Sequence, residues 1–207
     1  MLKLDGVDVN DWPLEELRKQ VGYVSQDLFL FSETVSDNIA YGLAEAMGEH
    51  TLIEGSTRLA CVHEDVLGLT ESYRTRVGER GVNLSGGQKQ RLTIARAIIK
   101  KPSVLVLDDA LSSVDVQTEE KILRGLRERP GRNTELIAAH RISTIRDADR
   151  IVVLEAGAII QQGTHQKLIN ERSGLYWRFY EQQRLKEDLE VYVETIDTPV
   201  EQGEVLV

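Results

Sequence analysis

Two adjacent carboxylates end a short apolar run in the stretch VLVLDDALSSVD, residues 104–115. Residues 104–107 are typical of a buried strand, and Asp108 and Asp109 follow it. In open α/β sheets, ligands bind at the carboxyl ends of the strands. One carboxylate there can hold Mg²⁺, and its neighbour can orient or deprotonate an attacking water. The stretch therefore favours nucleotide chemistry; the simpler alternative is that the aspartates cap the next helix or pair with a nearby base.

A second segment, LSGGQKQR at residues 84–91, has the residue types that bind an anion. Gly86 and Gly87 behind Ser85 at a helix start let the backbone approach an anion closely. The helix N-terminus adds free N–H groups and positive potential. The alternative is a glycine-rich turn whose serine only caps the helix. A bare Ser-Gly-Gly is weak evidence for an anion site. The full LSGGQ, followed by a basic helix and then by VLVLDD, is a highly specific pattern for nucleotide binding.

Short apolar runs separated by polar turns must position these residues. Residues 21–24, 104–107, 136–139 and 151–154 are typical of buried strands, and helix-like sequence follows each of them. This alternation predicts an α/β sheet with parallel strands. Between residues 36 and 100 the strand signals disappear, which predicts a helical insertion or simply a run of surface helices.

Bulk composition excludes several classes of protein. The chain has 207 residues, is 41% hydrophobic and 29% charged, and carries a net charge of −9. The negative charge argues against a general nucleic-acid binder, so we expect no nucleic-acid partner. The single cysteine, Cys61, excludes an internal disulfide and fits a reducing compartment. No apolar run approaches the ~18–20 residues of a membrane helix, so we expect no transmembrane segment in this chain.

Five motifs follow one another in an order that resembles the nucleotide-binding domain of an ATP-binding cassette (ABC) transporter. LSGGQ is similar to the signature motif, and VLVLDD is similar to the Walker B strand. SSVD at residues 112–115 resembles the D-loop, His140 in AAHR the switch histidine, and Gln26 in VGYVSQ the Q-loop glutamine. The segments LFLFSETVSDNIAYG (28–42) and TRVGERG (75–81) resemble those of exporters.

The resemblance implies a fold and a way of assembling. The implied fold is α/β, a P-loop NTPase-like (RecA-like) core with a helical signature subdomain. Two such domains, here from two different subunits, would hold two ATP molecules with Mg²⁺ between them. The paired domains would lie at the cytoplasmic face of the cell membrane and would contact the exporter's transmembrane domains. In the implied division, residues 1–33 are core with the Q-loop, 34–100 the helical subdomain, 101–172 core, 173–190 a C-terminal helix and 191–207 an acidic tail.

Individual roles also come from the resemblance. The γ-phosphate of ATP held by the other subunit would contact Ser85, Gly86, Gly87 and Gln88, and Asp115 would help to join the two halves. On the chain's own side, Asp108 would support Mg²⁺, and Asp109 stands at the position of the catalytic base. Gln26 would reach the metal and the attacking water, and His140 would hydrogen-bond the γ-phosphate and support the transition state.

Two features depart from the family pattern. The catalytic base of the family is a glutamate, whereas Asp109 is one methylene shorter, and a shift of about 1 Å can cost on the order of 100-fold in rate. This is typical of the degenerate-site subunit of a heterodimeric exporter. No G-x-x-x-x-G-K-[ST] phosphate loop occurs in the sequence. We therefore expect a chain that is N-terminally truncated, and the alternative function is a non-catalytic remnant that lends only its signature face to a partner's ATP.

Overall fold

The computed structural model describes residues 2–78, 83–131 and 133–197. Its strands are β1 (Lys3–Leu4), β2 (Val7–Asp8), β3 (Val21–Val24), β4 (Val104–Asp108), β5 (Thr134–Ala138), β6 (Ile151–Glu155) and β7 (Ala158–Gly163). Its α-helices are α1 (Leu14–Gln20), α2 (Val35–Ala40), α3 (His50–Leu59), α4 (His63–Leu67), α5 (Gly86–Ile98), α6 (Val116–Arg127), α7 (Ile142–Ile145), α8 (His165–Asn170) and α9 (Leu175–Asp197). The elements divide between two compact units, Met1–His140 and Arg141–Val207.

A parallel sheet in the first unit has the strand order β3-β4-β5. β4 is the central strand, and Asp108 lies opposite Ala138 at its carboxyl end. The predicted α/β fold with parallel strands is therefore confirmed. β5 begins two residues earlier than predicted because the N–H of Thr134 donates to the carbonyl of Ser103 at 2.8 Å, which extends the pairing with β4.

The two faces of this sheet differ in burial. Leu105 of β4 is fully buried, and its register partner on β3 is Gly22. A Cβ on Gly22 would lie 2.9 Å from the carbonyl oxygen of Ala97, so this face packs closely against α5. On the opposite face Tyr23 and Leu136 flank β4 and are 58% and 54% exposed. Within the described residues, the sheet is thus better covered on the α5 side.

Helices α2 to α5 separate β3 from β4, which agrees with the predicted helical insertion. α5 packs against both α2 and α3. The centre of this part is apolar, since Ile39, Ile53 and Ile94 are fully buried and Leu92 is 1% exposed. Burying such side chains supplies about 1.5–3 kcal/mol each, which is why α5 is held firmly in the fold.

The second unit contains an antiparallel hairpin, β6-β7. The sequence indicated that residues 151–154 continue the parallel alternation, and this expectation is wrong for the pairing. Ala156 and Gly157 between the strands have φ values of +48° and +79°, as two-residue hairpin turns require. Strands joined by so short a turn pair with each other in the antiparallel sense, and within the described residues β6 pairs with β7.

The last described helix, α9, runs to Asp197 and so passes the predicted boundary at residue 190. The rest of the predicted acidic tail, residues 198–207, lies outside the described residues. The two compact units also divide inside the predicted 101–172 segment, at residue 140. Among the described residues, no helix is long and apolar enough to span a membrane.

Candidate functional site

Four predicted site residues follow the carboxyl ends of three neighbouring strands; we call them the strand-end site. Gln26 lies two residues after β3, Asp108 ends β4 with Asp109 next to it, and His140 lies two residues after β5. Because β3, β4 and β5 are parallel and adjacent, these positions share one edge of the sheet. Gln26 and His140 are exposed, and the two aspartates are half-buried. This edge is where open α/β sheets bind their ligands.

Asp109 has an unusual backbone conformation. Its φ is +49°, a region in which aspartate and asparagine are several-fold enriched over other non-glycine residues. Its N–H donates to the carbonyl of Ala138 on the neighbouring strand at 2.9 Å, and its own carbonyl accepts the hydroxyl of Ser112 at 3.0 Å. The turn that follows β4 is therefore fixed from both sides, and an aspartate suits it better than a longer side chain does.

Asp108 offers a carboxylate suited to a hard cation. The hydroxyl of Tyr23 donates to Oδ2 of Asp108 at 3.5 Å, which is a long and weak hydrogen bond. The carboxylate therefore keeps most of its capacity to accept. Mg²⁺ is usually held by one or two carboxylates together with phosphate oxygens and water. Oxygen donors from Asp108, Asp109 and Gln26 fit that chemistry.

The LSGGQ segment forms the capped start of α5, as predicted. Ser85 is the N-cap: its side chain accepts the N–H of Gln88 at 3.2 Å, and the N–H of Ser85 donates to Oε1 of Gln88 at 3.0 Å. The amides of Gly86 and Gly87 have no acceptor among residues 2–78, 83–131 and 133–197. Two free N–H groups at a helix N-terminus can receive an anion such as a phosphate.

The side chain of Gln88 is already engaged within the chain. Besides the cap, its Nε2 donates to Oδ1 of Asp65 on α4 at 3.0 Å. Arg91 donates to the other carboxylate oxygen of Asp65 at 2.7 Å and to the carbonyl of Gly87 at 3.3 Å. We call Asp65, Ser85, Gln88 and Arg91 the signature network. Gln88 therefore orients the helix start, and the backbone and the Ser85 hydroxyl remain to meet a ligand.

Asp65 was missed by the sequence reasoning. It belongs to no motif and lies 23 residues before Gln88. Burial would raise the pKa of the Asp65 carboxyl, but hydrogen bonds from Arg91 and Gln88 outweigh it and hold the pKa below its ordinary value. The sequence offered only a weak indication of this role, namely an acidic residue on the short helix that precedes the basic segment after LSGGQ.

The D-loop segment, residues 112–115, lies against the start of α5. A Cβ on Gly87 would be 2.8 Å from the carbonyl oxygen of Ser113, so only glycine fits there without a shift. Asp115 caps α6 by accepting the N–H of Thr118 at 2.9 Å. The hydrogen bonds from Thr118 lower the pKa of Asp115. The predicted site residues thus fall into two groups: the strand-end site, and the signature segment with the D-loop beside it.

The two exporter-like segments are brought together. Thr34 pairs with Arg76 in an isolated antiparallel bridge, and the N–H of Val35 donates to the carbonyl of Thr75 at 3.0 Å. Arg76 also forms an ion pair with Glu33 at 2.9 Å. Residues 79–81 of the second segment lie outside the described residues.

Comparison with known proteins decides the family. The sequence model described as ABC transporter matches residues 1–112, more than half of the chain. The chain belongs to the ABC transporter family. An ABC transporter ATP-binding protein of Bacillus subtilis strain 168, YfiB, is 47% identical over 180 residues, which cover 87% of this chain and 30% of that protein. The ATP-dependent lipid A-core flippase of Syntrophus aciditrophicus is 44% identical over 185 residues, 89% of this chain and 30% of the flippase.

A solved structure gives the same result for the ABC fold. A bacterial Atm1-family ABC exporter with ATP bound superimposes with a TM-score of 0.80 at 39% identity, over 86% of this chain and 31% of that exporter chain. The chain therefore spans about a third or less of the length of these relatives. The predicted membership of the family and its P-loop NTPase-like core are confirmed.

Proposed function

We propose that this chain is part of the ATP-binding and ATP-hydrolysing domain of an ABC exporter. The observation that carries the proposal is the convergence of Gln26, Asp108, Asp109 and His140 at one edge of the parallel sheet. A glutamine, two carboxylates and a histidine at strand ends suit phosphoryl chemistry, in which positioning and electrostatic stabilisation supply most of the catalysis. The names of the relatives, an ATP-binding protein and an ATP-dependent flippase, support the same conclusion.

In this proposal the strand-end site serves the chain's own nucleotide. Asp108 and Gln26 hold Mg²⁺, which neutralises phosphate charge when it is bound. Asp109 accepts a proton from the attacking water, and His140 donates a hydrogen bond to the γ-phosphate as charge develops. The shorter side chain of Asp109 makes this site hydrolytically weak, and we infer a degenerate-site subunit.

The signature segment serves the nucleotide of a partner. The amides of Gly86 and Gly87 and the hydroxyl of Ser85 face an ATP bound by a second nucleotide-binding domain, which belongs to a different subunit. Gln88 keeps that helix start in shape, and Asp115 at the D-loop lies at the junction of the two halves. We infer that transmembrane domains of the exporter contact the paired exporter-like segments and that the chain works at the cytoplasmic face of the cell membrane.

A complementation assay tests this proposal. The full 207-residue chain is mixed with the separately purified ATP-binding domain of the Syntrophus flippase, whose own signature serine has been replaced by arginine. We expect Mg·ATP-dependent association and hydrolysis only when the chain is present. Ser85→Arg in the chain should remove both, because the large cation fills the space of the phosphate.

The variants separate the proposed roles of the chain. Asp109→Asn should leave hydrolysis in this mixture unchanged, since Asp109 acts on the chain's own nucleotide. A folded chain that neither associates nor supports hydrolysis would contradict the proposal. Equilibrium titration of the chain alone should show no appreciable Mg·ATP binding, because the sequence has no phosphate loop.

A further inference from the structure

A buried glutamine on α5 links the signature segment to Asp109. Gln90 is 3% exposed, and its Oε1 accepts the N–H of Ser113 at 2.8 Å. Its Nε2 donates to Oγ of Ser112 at 2.9 Å and, more weakly, to the carbonyl of Asp109 at 3.4 Å. The hydroxyl of Ser112 in turn donates to that same carbonyl at 3.0 Å. One side chain thus reaches both the D-loop and the residue at the position of the catalytic base.

The orientation of the Gln90 amide is fixed by its neighbours. The N–H of Ser113 needs an acceptor, which places Oε1 toward Ser113 and leaves Nε2 to face Ser112. Gly87, one turn earlier on α5, lies against the carbonyl of Ser113. The start of α5 therefore touches the D-loop at two points, and a shift of one element moves the other.

We propose that Gln90 is a positioning residue that transmits occupancy of the signature segment to Asp109. This inference rests on the proposed function, since it takes the signature to bind a partner's ATP and Asp109 to serve the chain's own. A buried, fully bonded amide is suited to the task, because breaking any one of its bonds leaves a polar group unsatisfied. Binding at one nucleotide would then change the carboxylate at the other.

Hydrogen exchange of the full 207-residue chain tests the inference. The chain is mixed with the signature-disabled flippase domain described above at saturating concentration, with and without saturating Mg·ATP. The amide of Asp109 is the reporter, because it donates to Ala138 and not to Gln90. In the wild-type chain we expect ATP to slow exchange both at residues 84–91 and at Asp109, the latter by about tenfold, which corresponds to one stabilised hydrogen bond.

Two variants remove hydrogen bonds of the connection between Gln90 and Asp109. Gln90→Met removes all three hydrogen bonds of the side chain, and Ser112→Ala removes the exposed hydroxyl between Gln90 and Asp109 without threatening the core. In both, ATP should still slow exchange at residues 84–91. At Asp109 the slowing should be nearly lost in Gln90→Met and clearly reduced in Ser112→Ala, which leaves the weak direct bond from Gln90 to the Asp109 carbonyl at 3.4 Å. Gln90→Glu keeps an acceptor for the N–H of Ser113 but loses both bonds donated by Nε2, so at Asp109 it should behave like Gln90→Met.

Thr93→Val is the matched control. Thr93 is buried on the same helix, and its hydroxyl donates to the carbonyl of Gln90 at 2.8 Å, inside α5. In Thr93→Val, ATP should slow exchange at residues 84–91 and at Asp109 as it does in the wild-type chain. Wild-type slowing at Asp109 in Ser112→Ala and Gln90→Met would overturn the inference while the proposed function stands. Absence of ATP-dependent slowing at residues 84–91 of the wild-type chain would instead overturn the proposed function, and the inference with it.

Discussion

The signature network and the strand-end site are held by this chain in different ways. Asp65, Gln88 and Arg91 tie the start of α5 to α4 through side-chain hydrogen bonds. At the strand ends, by contrast, the backbone of Asp109 is fixed, while the side chain of Gln26 is exposed and Asp108 accepts a long hydrogen bond from Tyr23. The chain thus prearranges the surface that we assign to a partner's nucleotide more firmly than the side chains of Gln26 and Asp108, which we assign to its own. This fits a subunit whose main contribution to hydrolysis is its signature.

The largest expected effect concerns Asp109 in the assembled exporter. In the intact exporter subunit to which these residues belong, Asp109→Glu should raise hydrolysis at the subunit's own nucleotide, by up to about 100-fold, because the longer side chain brings the base closer to the water. Replacing the partner's catalytic glutamate by glutamine should abolish most of the total activity. ATPase rates of the purified pair measure both.

Asp109→Asn is the control for that substitution, since it keeps a side chain suited to a φ of +49° but removes the base. It should give no increase in rate. Asp109→Glu, in turn, should lower the free energy of unfolding slightly, because glutamate fits this backbone region less well. If the change in the partner leaves hydrolysis intact, the degenerate-site assignment is wrong.

The contact between Gly87 and Ser113 provides the next test. Gly87→Ala should lower the free energy of unfolding by about 1–3 kcal/mol, because the new Cβ would overlap a backbone oxygen that cannot move freely. Gly86→Ala is the comparison, since its Cβ would lie 3.5 Å from Ser113, which is an ordinary contact. Urea unfolding of the full chain measures the difference. Equal losses of unfolding free energy in the two variants would show that the D-loop is not in close contact with Gly87.

Much of this architecture follows from local sequence signals. The alternation of apolar runs and helices predicted the parallel sheet, and Ser85 before two glycines predicted the capped helix. Other features depend on distant pairings that no local pattern encodes. Asp65 meets Arg91 only because α4 lies beside α5, and Gln90 becomes buried only when the D-loop folds over it. The backbone conformation of Asp109 could not be predicted from the sequence either, because its positive φ is imposed by the turn that follows β4.

The signature network should lose stability when Asp65 is removed. Asp65→Ala removes the carboxylate that accepts hydrogen bonds from Arg91 and Gln88, and we expect a loss of about 1–2 kcal/mol in the free energy of unfolding. Glu64→Ala removes the same charge from an exposed position on the same helix and should change stability by less than about 0.5 kcal/mol. Thermal or urea unfolding distinguishes the two, and similar losses would mean that the network is not stabilising.

Acid should weaken the same network. The pKa of Asp65 is lower in the folded chain than its ordinary value, so the unfolded chain binds the proton first as the pH falls. The stabilisation is therefore present above about pH 4, the unfolded pKa, and is lost as the pH drops through the lower folded pKa. Asp65→Asn should flatten the dependence of unfolding free energy on pH in that window, and an unchanged slope would contradict the assignment.

The smallest expected effect lies at the strand-end site. Tyr23→Phe removes the hydroxyl that reaches Asp108, but the bond is 3.5 Å long and Tyr23 is 58% exposed. Water can replace such a contact, so the free energy of unfolding should change by less than about 0.5 kcal/mol. A loss as large as that of Asp65→Ala would show that the strand ends are held as firmly as the signature network, and the contrast between the two regions would disappear. Urea unfolding of the two variants side by side decides this, because both changes remove hydrogen bonds to an aspartate and differ in how well that aspartate is held.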